Sequence, residues 1–271
     1  VEECKVKILK GKEQKDALSK EKRKKTKRNI IVLSIITLVI ILWVVYIKEI
    51  RPIITYNSAI KAMNSKNYSY AINVFESLDD YSDSKLMIQE CYYREAKDFY
   101  QSGNNDEAIK IFTELGNYSD SSTMIMQIKY DEAEKLLESH QYKEAINAFS
   151  EINNFKDSTD KIKAAYSDWA EEIFNNGEYL TAIKTMKKGY PNNIDFFDEC
   201  YYKNGEQALL KEDYATALDS FTRIKSEDVT ELINYVSGMN YYNNADYMRA
   251  VIMFEACKNS YEDIISDCLS K

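Results

Sequence analysis

The chain has 271 residues, with 36 Lys and Arg against 44 Asp and Glu, one His, two Pro, seven Gly and 22 Tyr. The length allows one or two domains with a sizeable core, the 45% hydrophobic content excludes a wholly disordered chain, and two prolines argue for long uninterrupted helices. A lone His140 excludes multi-His metal sites and argues against His-based catalysis.

Residues 1–28 carry twelve Lys and Arg against five acids, a net of +7, with seven basic residues in the nine from Lys20 to Arg28. This reads as a basic tail without fixed structure. Residues 29–271 hold 24 basic and 39 acidic groups, a net of -15. From Asn29 to Ile47 there is no charge at all (NIIVLSIITLVIILWVVYI), only Ser34 and Thr37 are weakly polar inside the run, and Trp43 and Tyr46 stand near its end. Nineteen helical residues reach about 28 Å, close to the hydrocarbon thickness of a bilayer, and aromatics suit the interface. The stretch is therefore expected to be a transmembrane helix rather than a buried core helix. A cleaved signal peptide fits less well, because the charged leader is long and Lys48-Glu49-Ile50-Arg51-Pro52 offers no small-residue cleavage site. The positive-inside rule then predicts a single-pass cell-membrane protein with residues 1–28 in the cytoplasm and 48–271 outside.

From residue 52 a repeat fills the chain. Ala59, Ala96, Ala133, Ala170, Gly205 and Gly238 are each followed twelve residues later by Ala71, Ala108, Ala145, Ala182, Ala217 and Ala250. Four further on stand Phe75, Phe112, Phe149, Met186, Phe221 and Phe254. The steps between frames are 37, 37, 37, 35 and 33 residues. Around these positions apolar residues recur at helical spacing, as in Tyr93, Ala96, Phe99 and Tyr100, then Ala108, Ile109, Phe112 and Leu115. Each frame predicts two helices, A and B, crossing at the small residues with the bulky residue filling the space between hairpins. Polar turns such as Ser102-Gly103-Asn104-Asn105 and Ser139-His140-Gln141 separate them.

This pattern resembles the tetratricopeptide repeat family, which has a small residue early in helix A and Ala and Phe in helix B. An aromatic opens helix B at Tyr68, Tyr142, Tyr179, Tyr214 and Tyr247. The resemblance covers residues 52–271 and implies an all-α, TPR-like solenoid of about six helical hairpins, with protein or peptide binding as its use. Two departures stand out. The family's Leu before the first small residue is replaced by Ser58, Glu95, Glu132, Asn204 and Ser237, with only Trp169 apolar, and the Pro that ends each unit is missing. In its place stand Tyr81-Ser82-Asp83-Ser84, Tyr118-Ser119-Asp120-Ser121 and Phe155-Lys156-Asp157-Ser158, where the Asp is expected to cap the following helix. The Y-x-D-S signature also resembles repeat regions of bacterial membrane-anchored proteins whose cytoplasmic end bears a zinc ribbon. The first residue is Val rather than Met, which leaves room for an upstream module with Cys4 as its last trace, but Cys4 reads rather as a free thiol. One Cys is not a metal site.

No catalytic residues, cofactor or metal ligands emerge. The seven glycines are never closer than twelve residues, no serine elbow or H-E-x-x-H is present, and His140 reads as an exposed turn residue. Cys91 and Cys200 each open a C-Y-Y in helix A, three frames apart, too far to bond, whereas Cys257 and Cys268 could meet across the last turn. One stripe is a candidate site: Tyr56, Tyr93, Tyr130, Tyr202 and Tyr235 occupy one slot in five of six frames, with Ser167 in the remaining one. In the family that slot faces a concave groove, so the tyrosines would offer rings and hydroxyls to a peptide or glycan. Alternatively they replace the missing Leu as core, which the polar Leu slot favours. The expected function is a non-enzymatic membrane-anchored scaffold presenting a groove at the bacterial cell surface to a protein, a peptide or a cell-envelope component. The alternative is a transmembrane sensor relaying binding to an N-terminal zinc-ribbon-like module. Nucleic acid is disfavoured by the acidic balance. A closing helix is expected near 261–270, and Pro52 suits the first turn of the first repeat helix.

Overall fold

The computed structural model is described over residues 2–225 and 228–271, and the side chains of residues 2–10 and 14 lie outside that description. Among the described residues there are fourteen α-helices, one π-helical turn and no strand. The all-α class expected from the sequence is what the chain adopts. By contacts it divides into a first unit ending at Ser122 and a second beginning at Thr123.

The first unit opens with α1 (Glu2–Val45), which passes through a π-helical turn (Tyr46–Ile50) into α2 (Arg51–Asn64) without a break. The basic tail, expected to lack structure, is thus helical from Glu2. Its residues explain the difference: it has one glycine and no proline, and it is rich in Lys and Glu, which favour helix. Along Ile30–Val45 the large apolar side chains are 41% to 66% exposed, so nothing in the chain covers them. One helix, Gly11–Asn64, is long and apolar enough to cross a membrane. Pro52 is the second residue of α2, directly after the π-helical turn, and because the helix is continuous there its missing N–H removes one backbone bond from the run. Two hairpins follow, α2 with α3 (Tyr68–Leu78) and α4 (Ser84–Gln101) with α5 (Asn105–Leu115).

The second unit takes most of α6 (Ser121–Glu138), paired with α7 (Tyr142–Glu151). Then come α8 (Ser158–Asn175) with α9 (Tyr179–Gly189), α10 (Ile194–Leu209) with α11 (Tyr214–Phe221), and α12 (Thr230–Asn243) with α13 (Tyr247–Glu255). A closing helix, α14 (Glu262–Ser270), lies where the sequence places it.

Every repeat position named from the sequence is buried: both small residues and the bulky residue in all six hairpins. The reason for small residues is steric. A Cβ on Gly205 would lie 2.5 Å from the Phe221 ring, and one on Gly238 would lie 2.6 Å from Phe254. Helix A must present almost bare backbone to the ring from helix B.

The turn inside each hairpin is fixed just as regularly. Lys66, Gly103, His140, Gly177, Glu212 and Ala245 all have positive φ, between 57° and 83°. The N–H of the next residue bonds back five positions, as in Asn67 to Ala62, Gln141 to Leu136 and Asp246 to Tyr241. This is the left-handed helix ending in which glycine is the favoured residue, yet only two of the six are glycine.

The expected Asp cap between hairpins is not formed. Asp83 and Asp157 stand at the N-cap positions of α4 and α8, but neither side chain bonds the helix. Instead the fully buried Ser84, Ser121 and Ser158 turn the loop by donating to the carbonyls of Tyr81, Tyr118 and Phe155 at 2.6 Å. True side-chain caps occur elsewhere: Asp213 accepts from the Thr216 N–H and Asp246 from that of Arg249.

Two substitutions test this packing. Ala245→Gly relieves the left-handed strain without removing a contact and should raise stability by about 1 kcal/mol. Gly205→Ala forces the Phe221 ring out of place and should lower it by about 1–3 kcal/mol. Urea unfolding midpoints of the two variants should move in opposite directions.

Candidate functional site

The five tyrosines of the candidate ladder all lie on helix A of their hairpins, and in each case the ring meets the bulky residue of helix B. Ring centres are 5.5 Å apart for Tyr56–Phe75, 5.7 Å for Tyr93–Phe112 and 5.5 Å for Tyr130–Phe149. They are 5.9 Å apart for Tyr202–Phe221 and 6.3 Å for Tyr235–Phe254. In the first three hairpins the same ring also meets the aromatic that opens the following loop: Tyr81, Tyr118 and Phe155. Tyr130 is buried and the other four are half-buried. The slot that the sequence offers either to a groove ligand or to the core is thus occupied by aromatic packing.

The hydroxyls of the first three are committed too. Tyr56 donates to Asp83 and Tyr130 to Asp157, each at 2.5 Å, and Tyr93 donates to Asp120 in the same way. The acceptor is the Asp expected to act as a cap, always 27 residues on. It ties helix A of one hairpin to the loop that starts the next. Burial first, then the bond to Asp83, pushes the Tyr56 hydroxyl up to about 12, and Tyr130 moves upward for the same reasons. The hydroxyl in turn holds the Asp83 and Asp157 carboxyls below the usual range. A second tie opens helix B: Tyr68 donates to Asp98 on α4 at 2.8 Å, and Lys66 reaches the same carboxylate at 2.7 Å.

In the last two hairpins the loops lack the Y-x-D-S sequence, and the carboxylate has moved to helix A. Buried Asp198 accepts the Lys225 N–H at 3.0 Å. Glu231 accepts those of Lys258 and Asn259 at 2.8–3.2 Å. These partners were not found from the sequence, although the constant 27-residue offset between Tyr and Asp was present in it.

A cleft of about 340 Å³ lies at the end of the second unit, lined by Ser260, Tyr261, Glu262, Asp263 and Ile264, and two more open among its hairpins. The larger, about 590 Å³, is lined by Glu138, His140, Tyr142, Asp168, Glu171 and Glu172. His140 Nδ1 lies 2.6 Å from the Tyr142 hydroxyl, and burial followed by the Glu172 and Asp168 charges pushes the pKa of that hydroxyl up. The carboxylate rim suits a cationic group better than an anionic one. A smaller cleft of about 270 Å³ opens beside α11, which has eight residues where α3, α5 and α9 have eleven. Lys187 stands 5.2 Å from the Phe197 ring there, and Arg223 is held by two bonds to Asp219.

The thiols are not poised for chemistry. Cys91, Cys200 and Cys268 are buried and Cys257 is half-buried, all as free thiols, so Cys257 and Cys268 do not form the bond considered for them. Burial pushes Cys91 up to about 11 and Cys200 up to about 12. The side chain of Cys4 lies outside the described residues. Among the described residues no group of three or more His, Cys, Asp and Glu could hold a metal ion.

No family model matches the chain, and no curated protein does. Among solved structures it is similar to the C-terminal part of a TPR repeat-containing protein from Cytophaga hutchinsonii, at 19% identity over 79% of this chain and 80% of that one, with a TM-score of 0.24. The helical-repeat reading rests on the chain's own periodic packing rather than on that likeness.

The tyrosine–aspartate ties predict a two-sided pH dependence. Asp83 and Asp157 are lowered in the folded chain, so their contribution is present above the unfolded value near ~4 and lost as pH falls through the folded one. Tyr56 and Tyr68 are raised, so theirs is complete below ~10 and lost as pH rises toward about 12. Replacing Tyr56, Tyr93 and Tyr130 by Phe should cost about 1 kcal/mol each at neutral pH and flatten the acid limb of a plot of urea midpoint against pH.

Proposed function

We propose that this protein is a membrane-anchored, non-enzymatic scaffold whose helical hairpins bind a protein or peptide partner at the outer surface of a bacterial cell. The observation that carries the anchoring is the exposure of every large apolar side chain from Ile30 to Val45 on one unbroken helix. Such a surface is stable only in an apolar medium. The seven basic residues in the nine before Asn29 favour a cytoplasmic N-terminus and an external repeat region. Binding rather than turnover is supported by the use of the tyrosine hydroxyls and thiols within the packing. The ladder tyrosines Tyr56 and Tyr93 therefore offer a partner their ring edges rather than their hydroxyls, whereas Tyr202 and Tyr235 can offer both. The acidic rim of the larger cleft and the net charge of the repeats favour a partner with cationic groups over nucleic acid.

One observation favours the second reading, a transmembrane sensor: the helix is continuous from Gly11 through the apolar stretch to Asn64. Tail, span and first hairpin would then move as one rod.

The full chain should remain with membranes after alkaline carbonate extraction. Leu38→Arg with Ile40→Arg should release it, since each charge at the centre of a span costs about 2.5–3.5 kcal/mol. On intact cells, in a Cys4→Ser, Cys257→Ser background, a membrane-impermeant maleimide should label Glu114→Cys and spare Ser19→Cys. The reverse pattern would overturn the orientation, and a wild-type chain in the carbonate supernatant would overturn the anchor.

A further inference from the structure

We propose that the basic block at 20–28 is a collar that gathers anionic phospholipids around α1, its lysines and arginines pairing with the lipid phosphates of the leaflet beside Asn29. This rests on the anchoring reading above and adds to it a lipid class and a leaflet. The block holds seven basic residues and one acid, Glu21, which stands about 10 Å along the axis from Arg28. All nine residues are exposed. Among the described residues no ion pair takes up any of the seven charges. In the repeats, by contrast, Lys66, Lys85, Arg94, Lys129 and Lys161 each hold a carboxylate. The block thus presents cationic groups that the chain itself does not neutralise.

Helix geometry makes the block a collar. Because α1 runs unbroken from Glu2 to Val45, the block is fixed on the axis of the span. At 100° per residue the seven charges fall at about 0°, 40°, 80°, 140°, 200°, 300° and 340° around that axis. The widest gap, about 100°, is filled by Thr26, so no direction of tilt turns the charges away from the bilayer. Depth fits as well. The polar layer adds about 5–8 Å beyond each side of the hydrocarbon core, and Lys24 to Arg28 lie within about 8 Å of Asn29. Lys20 to Arg23 stand within about 14 Å, from where long side chains reach back toward the phosphates. The uncharged run of about 28 Å is slightly shorter than a core of about 30 Å, which draws Lys27 and Arg28 down to the headgroups.

The other end of the span is unlike it. Lys48, Glu49 and Arg51 supply two basic groups and one acid, and residues 79–271 hold 20 basic and 37 acidic groups. A preference for anionic lipid is therefore confined to the leaflet that meets the block. Nucleic acid is a poorer occupant. Headgroup phosphates lie within reach of Lys24, Lys25, Lys27 and Arg28 at once, whereas a duplex can touch only the charges that stand clear of the headgroup layer.

The test uses the full chain in vesicles of phosphatidylcholine and phosphatidylglycerol at equal mole fractions. One lipid at a time carries brominated acyl chains, which quench tryptophan on contact. Val32→Trp, read with Trp43→Phe and Trp169→Phe, reports the end beside the block, and Trp43, read with Trp169→Phe, reports the other. Both leaflets contain both lipids, so the readout is the same whichever way the chain inserts. At position 32 brominated phosphatidylglycerol should quench at least about twofold more than brominated phosphatidylcholine, and at Trp43 the two should quench alike. Lys24→Gln, Lys25→Gln, Lys27→Gln and Arg28→Gln together should remove the preference at position 32, with total quenching unchanged when both lipids are brominated. Salt at about 1 M should weaken it. Equal quenching by the two lipids at position 32, an equal preference at Trp43, or a preference that survives the four substitutions would overturn the collar while leaving the anchor standing. Loss of the preference on adding a duplex oligonucleotide at about 0.15 M salt would assign the block to nucleic acid and overturn the collar as well. No quenching at either position by either lipid would remove the anchor, and the collar with it.

Discussion

The closeness of two helix backbones at a pair of small residues governs each hairpin. Ala or Gly on helix A meets the bulky residue of helix B, and the ring of Phe75, Phe112, Phe149, Phe221 or Phe254 is almost wholly removed from solvent. An added methyl at Gly205 or Gly238 has no room. With the ring seated there, the helix A tyrosine one turn earlier packs against its edge, and in the first three hairpins that places the hydroxyl at the following loop. The order of cause runs from backbone distance to ring, from ring to tyrosine, and from tyrosine to loop. A single hairpin buries too little to stand alone, so ties to the next hairpin are part of what makes each one stable.

The loop between hairpins shows one physical requirement met by two sets of residues. At five of the six hairpins a carboxylate holds the chain reversal that follows, and at the fourth Asn193 caps α10 instead. In the first three hairpins the loop supplies that carboxylate and helix A supplies the hydroxyl. In the last two, Asp198 and Glu231 on helix A supply it, and the loop offers backbone N–H groups. The repeat step shrinks from 37 to 33 residues through shorter helices, α11 and α12, and not through the loop, which at 222–229 is longer than that at 79–83.

The repeat was legible because its signal is steric: small and bulky residues recur at a fixed spacing, and all eighteen of those positions are buried. The apolar stretch from Asn29 was equally plain, as was the place of α14. The role of the Y-x-D-S aspartates was misread, because an Asp before a helix has two uses with nearly equal local signals. Only the distant tyrosine, brought near by the fold, decides that its carboxylate faces outward to Tyr56 or Tyr130 rather than into α4 or α8. Likewise the left-handed turn residues Lys66, His140, Glu212 and Ala245 carry no local mark. Their conformation is imposed by the helices on either side, at a cost that intrinsic preference would have avoided. The tail was misjudged for a different reason: a dense run of like charge reads as disorder, while Lys and Glu without proline also read as helix.

The two glycine-crossed hairpins are also those with the shortest B helices, eight residues in α11 and nine in α13, against ten or eleven in the four crossed at alanine. A short helix has fewer apolar side chains to bury, so its remaining contacts must be closer to hold the hairpin. Glycine permits that: the ring of Phe221 or Phe254 rests directly on helix A backbone, where alanine would hold it a methyl's width away. The gain in dispersion contact from closer approach is set against glycine's lower helix preference, about 1 kcal/mol relative to alanine. That trade is favourable only where the approach is close. At Ala59 or Ala96, where the B helices are longer and the alanine is already fully buried, glycine would lose helix stability and leave the ring without its methyl partner.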